Sequence, residues 1–398
     1  MGGYRDILRS PAGTLMVVSG VARLAWGVEG LALVFHVEDA ADSFAAAGLA
    51  VGALGVTSAL FAPLRGALVD RHGGPALLSM ALATATVIAA IAVTPAVGPQ
   101  ALSYIVLAAL TGVVAPPFTA WTRAGLARRL SGERLRHAYA VDNVFEESAF
   151  VLGPLLAGLV IAVATPGVAL GLAAGLAAFG GLALTLPPAA REWAPARRAV
   201  AEGSRTGLNR PLAVAFVCLA GLGAGVGFVE VAVAAFAEGE GSEGSAGLIL
   251  AGLSAGGILG AVVYGARTWR GSTARQYAVL LGLMGAGLAL LAVPESVWVM
   301  VLLTALAGLA FTPVFIANSL LIEELSPGRP SAVAFTWVST AMNAGVAAGA
   351  AAGGALVDER GTDPAFIAAG AVVLASAALA LALEPPFRRS PVSRARGT

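Results

Sequence analysis

Hydropathy constrains this chain more than any other feature. Apolar segments of about 20 residues, long enough to cross a bilayer core as a helix, follow one another along nearly its whole length. There are twelve, separated by short breaks rich in Gly, Pro and charge. They fall at 14–37, 44–68, 75–94, 101–122, 138–163, 168–186, 211–236, 246–266, 277–293, 297–322, 331–357 and 365–383. The chain is 58% hydrophobic and only 12% charged, outside the range of an ordinary soluble domain. No stretch alternates in polarity as the strands of an outer-membrane barrel do. The sequence therefore predicts an all-α integral membrane protein with twelve transmembrane helices.

An even number of spans returns the chain to its starting side, and basic residues mark that side as cytoplasmic. Every basic residue except the histidines is Arg. Arg5, Arg9, Arg65, Arg71, Arg123, Arg128, Arg129, Arg134, Arg136, the middle-loop arginines from Arg191 to Arg210, then Arg267, Arg270, Arg275 and the tail arginines all fall on one face. The opposite loops carry Glu38, Asp39, Asp42, Glu238, Glu240, Glu243, Asp358, Glu359 and Asp363, with Arg360 the one basic residue among them. Both termini are thus expected in the cytoplasm of a bacterial cell, with the chain a multi-pass protein of its inner membrane. The net charge of +1 hides this asymmetry and gives no sign of nucleic-acid binding. The opening residues, MGGYRDILRS, lack the apolar core and cleavage site of a removable signal peptide, and the first span is expected to insert uncleaved.

The two halves of the chain repeat one pattern. Gly112 matches Gly308, Pro117 matches Pro313, Gly153 matches Gly349 and Gly158 matches Gly354, all at an offset of 196 (308 − 112, 354 − 158). Glu29 matches Glu230 at 201 (230 − 29). Between the halves lies a polar stretch. The organisation expected is an N-terminal six-helix bundle at 1–187, a cytoplasmic linker at 188–210 and a C-terminal six-helix bundle at 211–398. Parallel repeats of this kind are a known transporter plan, with the substrate site near the midplane between them.

Cys218 stands alone, and His36, His72 and His137 are too scattered for metal-ligand spacing. No cofactor or metal is expected. Nothing with nucleophile spacing points to an enzyme, and a monomer is the expected form.

Two motifs carry a resemblance. The loop after the second span reads GALVDRHGG, in which Gly66, Asp70, Arg71 and Gly73 fall on a Gly-x-x-x-Asp-Arg-x-Gly pattern. The fifth span contains Gly153, Pro154, Ala157 and Gly158. These resemble the signature loop of the major facilitator superfamily and the Gly-Pro motif of its bacterial twelve-span drug/proton antiporters. The resemblance implies two pseudo-symmetric six-helix bundles that alternate access to a central site. It also implies a conformational latch at Gly66, Asp70, Arg71 and Gly73, with its partner at Ser331, and a helix-bending motif at Gly153, Pro154 and Gly158. Small residues permit close helix contact and Pro154 interrupts the backbone ladder. Two departures stand: Gly74 and Pro75 replace the basic pair expected after Gly73, and Arg123 sits at the cytoplasmic end of its span rather than in the middle. A second near-match, GGALVDERG at 353–361, falls in an external loop and is set aside as a latch.

Charges inside spans narrow the site. An ionisable group at the bilayer centre costs about 2.5 to 3.5 kcal/mol on insertion scales, so Arg23, Glu29, Glu146, Glu147 and Glu230 must face a cavity or each other. Arg23 and the two adjacent glutamates lie at similar depth, and the first and fifth spans are neighbours in the fold implied. An ion pair between Arg23 and Glu146 or Glu147 is therefore expected, leaving the other carboxylate to carry a proton. A fixed structural pair is the competing reading. Asp142 is read as a solvated helix-end charge and Trp121 as an interface anchor. Glu29 and Glu230, with Trp26, Asn318 and Asn343, are candidate substrate contacts; the alternative is that the two acids line a wet vestibule and the two amides bond helix to helix. The function expected is proton-coupled efflux of a small lipophilic or cationic compound. A metabolite uptake symporter or facilitator, or a membrane sensor, remains the alternative.

Overall fold

The computed structural model describes residues 7–94, 101–187, 210–267, 269, 271–325 and 331–382, with the backbone alone at 210, 331–337 and 339. Apart from Arg210, the linker expected at 188–210 lies outside the described residues, as do the side chains of Ser331 and Trp337. Fourteen helices appear among the described residues: α1 (Pro11–Ala41), α2 (Phe44–His72), α3 (Gly74–Val93), α4 (Ala101–Val114), α5 (Phe118–Arg129), α6 (Gly132–Val163), α7 (Pro166–Thr185), α8 (Arg210–Gly239), α9 (Ser245–Gly265), α10 (Thr273–Leu290), α11 (Val297–Gly308), α12 (Phe311–Leu325), α13 (Ser331–Arg360) and α14 (Thr362–Ala382). Joined in pairs, α4 with α5 and α11 with α12 form the fourth and tenth spans. Eleven spans are long and apolar enough to cross a membrane. The ninth, α10, is 18 residues long and carries Arg275 and Gln276 near its start.

Proline explains the broken spans. Pro116 and Pro117 lack an N–H, and the ring of Pro116 conflicts with the carbonyl four residues back, that of Gly112. In hydrocarbon a freed carbonyl needs an internal donor. Arg65 supplies two, to the Gly112 oxygen at 3.0 Å and the Ala115 oxygen at 2.7 Å, while Thr84 donates to the Val114 oxygen at 3.1 Å. The same guanidinium donates to the Ser58 oxygen at 2.6 Å. Arg65 is therefore not a loop charge as expected: it is 8% exposed and holds the bend of the fourth span. The tenth span breaks at Leu309, the residue four positions before Pro313.

In each half the helices pack as a six-helix bundle. In the first, α1 lies against α6 and α7, α3 against α7, and α2 against α4; in the second, α8 lies against α13 and α14, α10 against α14, and α9 against α11. The main joints between the bundles are α2 with α13 and α6 with α9. Both joints are lined by small residues, as helices must be when apolar burial gives no preference over lipid. A Cβ on Gly52 would lie 2.9 Å from the Ala347 oxygen, and one on Gly48 would overlap the Ala350 carbonyl. In the second joint Gly158 lies on the backbone of Gly244 and Gly247, and Ser254 donates to the Phe150 oxygen at 3.3 Å, the carbonyl that Pro154 frees.

Alternating helix direction gathers Asp42, Glu240 and Asp358 at one end of the molecule, the acid end, and Arg71, Arg128 and Arg267 at the other, the arginine end. The contacts just named between bundles lie in the halves of the helices nearer the acid end. Toward the arginine end, Leu60 and Leu64 of α2 are 69% and 53% exposed.

Candidate functional site

The break at Pro116–Pro117 lets α5 leave the line of α4, and Arg123 on α5 turns toward α6. There it meets Asp142, which is fully buried. One carboxylate oxygen of Asp142 accepts from Arg23 Nη2 at 2.7 Å, and the other accepts from Arg123 Nε at 2.9 Å. Arg23 Nη1 also reaches the Asp142 backbone oxygen at 3.4 Å. Arg123 Nη2 continues to Asn143 Oδ1 at 2.6 Å and to Glu146 Oε2 at 2.5 Å, and Thr119 donates to Glu146 Oε1 at 3.3 Å. Two arginines and two acids thus form one chain with no net charge across α1, α5 and α6. The bonds are charge-assisted, the kind that holds geometry best.

This network corrects three expectations. Arg23 pairs with Asp142, not with Glu146 or Glu147: Asp142 bridges Arg23 on α1 and Arg123 on α5, whereas Glu146, one turn later on the same face, reaches only the second of these two arginines. Asp142 is not a solvated helix end: it is the most enclosed member of the network. Arg123, dismissed for its position near the end of its span, is the hub that joins the two acids. Trp121 also departs from its expected role. It is 2% exposed and packed with Phe118 and Leu77 in the core at the arginine end, not anchored at an interface.

Glu147 stands apart. It is half-buried and makes no hydrogen bond or ion pair to any described residue. Its neighbour Glu146 takes the guanidinium, and a turn of about 100° per residue aims Glu147 elsewhere. Glu29 is 5% exposed, and its Oε1 is buried without a hydrogen-bond partner. Its counterpart Glu230 on α8 is half-buried and likewise unpaired among the described residues. Trp26 stacks on Phe118 with ring centroids 6.3 Å apart, close to the network. Asn318 is fully buried with neither amide atom bonded to a described residue, and Asn343 is half-buried on α13, its backbone oxygen beside Gly55. The structure therefore brings Arg23 and Glu146 together around Asp142 and Arg123, with Trp26 on Phe118 one turn along α1; it leaves Glu29 farther along α1 and Glu230, Asn318 and Asn343 on other helices.

The helix-bending motif serves two joints. A Cβ on Gly153 would lie 2.5 Å from the Gly27 Cα, so α1 and α6 touch by backbone beside the network, while Gly158 meets α9. In the signature loop Gly73 has φ 69°, a left-handed conformation that suits glycine, and its N–H closes α2 on the Val69 oxygen at 2.7 Å. Asp70 and Arg71 are exposed and bond no described residue.

A fold of paired six-helix bundles has known relatives. The family model of the Major Facilitator Superfamily matches residues 15–266 and 215–397. No curated protein sequence matches the chain. Among solved structures, a bacterial homologue of the iron transporter ferroportin in an inward-facing state has a TM-score of 0.71 at 15% identity, covering 94% of this chain and 98% of that one. A POT family transporter in complex with 5-aminolevulinic acid has a TM-score of 0.70 at 13% identity, covering 95% and 96%. The nucleoside transporter NupG has a TM-score of 0.68 at 17% identity, covering 95% and 98%. With a family model that spans nearly the whole sequence and a twelve-span fold to match, the chain belongs to the major facilitator superfamily and is a multi-pass membrane transporter.

Proposed function

We propose that the chain is a proton-coupled exporter of small lipophilic or cationic compounds, working by alternating access between bundles at 1–187 and 211–398. The observation that carries the proposal is the separation of the acids into two kinds. Asp142 and Glu146 are neutralised by Arg23 and Arg123, whereas Glu147, in the same helix and half-buried, has no cation among the described residues. A carboxylate left alone in a low-dielectric site gains from binding a proton. Glu29 and Glu230, on equivalent helices, give a positive substrate two carboxyl contacts, and Trp26 gives a flat one a stacking surface.

With the arginine end in the cytoplasm, by the positive-inside rule, the bundle contacts of α2 with α13 and α6 with α9, gathered toward the acid end, fit an inward-open arrangement; the ferroportin homologue is in an inward-facing state. Entry of one proton yields about 2.3 kcal/mol per 100 mV, enough for roughly a fifty-fold gradient of a neutral solute. The test is transport in proteoliposomes under an imposed pH gradient, with a lipophilic cationic dye as probe. Glu147→Gln is expected to abolish uphill movement while downhill exchange of the dye continues, and Glu146→Gln to retain coupling. Unchanged uphill transport in both variants removes these acids from coupling. Dye movement in the same direction as the protons replaces export with symport.

A further inference from the structure

The pentapeptide Gly-Ala-Leu-Val-Asp occurs twice, at 66–70 and 354–358. Each copy lies in the last turns of a helix, the first in α2 and the second in α13. These two helices pack antiparallel: Gly48 lies on Ala350, Gly52 on Ala347 and Gly55 beside Asn343. The C-terminal end of each therefore lies on the side of the other's N-terminal end.

At the acid end the parts are engaged. Asp358 Oδ2 accepts from Ser43 Oγ at 2.7 Å and from the Ala45 N–H at 3.0 Å, and Oδ1 accepts from the Phe44 N–H at 2.9 Å. Ser43 is the N-cap of α2, so the carboxylate sits on backbone donors that the helix leaves unpaired and where its dipole is positive. Four residues earlier, Gly354 brings the two backbones together; a Cβ there would overlap the Phe44 carbonyl. At the arginine end the side chains that would face the first copy on α13 lie outside the described residues. Asp70 is exposed and bonds no described residue, and no described atom lies within 4 Å of where a Gly66 Cβ would stand.

The geometry points to Asp358 as an acid-end latch that clasps α2 to α13 across the bundles and must let go before the acid end can open. The inference rests on the alternating-access reading above. Because Asp358 sits at the acid-end tip of an antiparallel pair whose glycine contacts gather toward that end, rocking the bundles apart there pulls the carboxylate off the N-terminal end of α2.

The test places spin labels at Val93→Cys and Val293→Cys, exposed positions near the acid end of each bundle, in the full chain in lipid nanodiscs. Cys218 is buried and stays. The distance distribution reads the ratio of open to closed acid ends. Losing an N-cap acceptor changes helix-end equilibria by about 2- to 30-fold, and Asp358→Ala is expected to raise the open fraction within that range. Asp358→Asn, which keeps one acceptor oxygen, is expected to raise it less, and it carries the test if the alanine variant fails to fold. Gly48→Leu, which wedges the α2–α13 joint directly, is the control. An unchanged ratio in both Asp358 variants, with opening in Gly48→Leu, overturns the latch alone. A single unchanging distance in all variants overturns alternating access and the latch with it.

Discussion

Asp142→Asn tests the network most directly. The carboxylate is fully buried and shares its two oxygens between Arg23 and Arg123 at 2.7 and 2.9 Å. The amide keeps one oxygen for one guanidinium, but its NH2 then faces the other, donor against donor. Arg23, 1% exposed and with its Nε already lacking a partner, keeps a charge that nothing nearby cancels. Removing one partner of a buried pair costs about 3 to 5 kcal/mol, roughly 100- to 5,000-fold in the folded-to-unfolded ratio at 1.36 kcal/mol per decade. Polar contacts between membrane helices average less, about 0.6 kcal/mol, yet that figure describes neutral deletions rather than a stranded cation. The larger range should govern here. Glu146→Gln is the internal comparison: Glu146 is 28% and Arg123 37% exposed, so water reaches both, and the loss should stay near 1 kcal/mol or below. The assay is thermal unfolding of the purified protein, followed by loss of the monodisperse peak. Asp142→Asn is expected to melt several degrees below wild type and well below Glu146→Gln, and Arg23→Met combined with Asp142→Asn to regain most of the loss. A melting temperature for Asp142→Asn equal to that of Glu146→Gln, or strictly additive single and double variants, would refute the reasoning.

Arg65→Met leaves the carbonyls of Gly112, Ala115 and Ser58 without their side-chain donor, at about 1 to 3 kcal/mol for each group that stays unsatisfied; a lowered melting temperature with faster proteolysis between α4 and α5 checks it. At the acid end, burial and then the charge of Asp39 push the Glu243 carboxyl above its ordinary value. A raised value favours the protonated acid in this arrangement, so the closed acid end gains as pH falls through that value and loses as pH rises. The spin-label distance between Val93→Cys and Val293→Cys, followed from pH 8 to pH 5, reads the shift, and Glu243→Gln should remove part of it.

The number and order of spans were legible because a twenty-residue apolar run has few other uses. The broken fourth span was also written in the sequence, in the adjacent Pro116 and Pro117, but the donor that repairs it was not: Arg65 sits 47 residues from Gly112 and looks like a loop charge until the fold brings it inward. The partner of Arg23 escaped for a different reason. Counting residues along a helix gives depth, and depth favoured Glu146 and Glu147 while placing Asp142 at a solvated helix end. Azimuth sets Glu147 apart from the other two. Asp142 and Glu146 are four apart and share a face, so both can serve one arginine from α5, while Glu147 is turned away. That spacing, set beside Arg123 on the preceding helix, was the available signal. Trp121 shows the same gap, since an aromatic near a span end looks identical whether it faces headgroups or the core.

The glycine-lined joints have a mechanical consequence. Where Gly48, Gly52, Gly158 and Gly247 meet the opposite bundle, backbone rests on backbone with few protruding groups to interlock. Two such surfaces part like smooth plates, without each side chain having to withdraw from a socket and find a new rotamer. Contact this shallow holds by dispersion over short distances, and it vanishes within a few ångströms of travel. The swing between states should therefore meet little friction along its path, and its resting position should be set by polar contacts at the rim, such as those Asp358 makes with Ser43, Phe44 and Ala45.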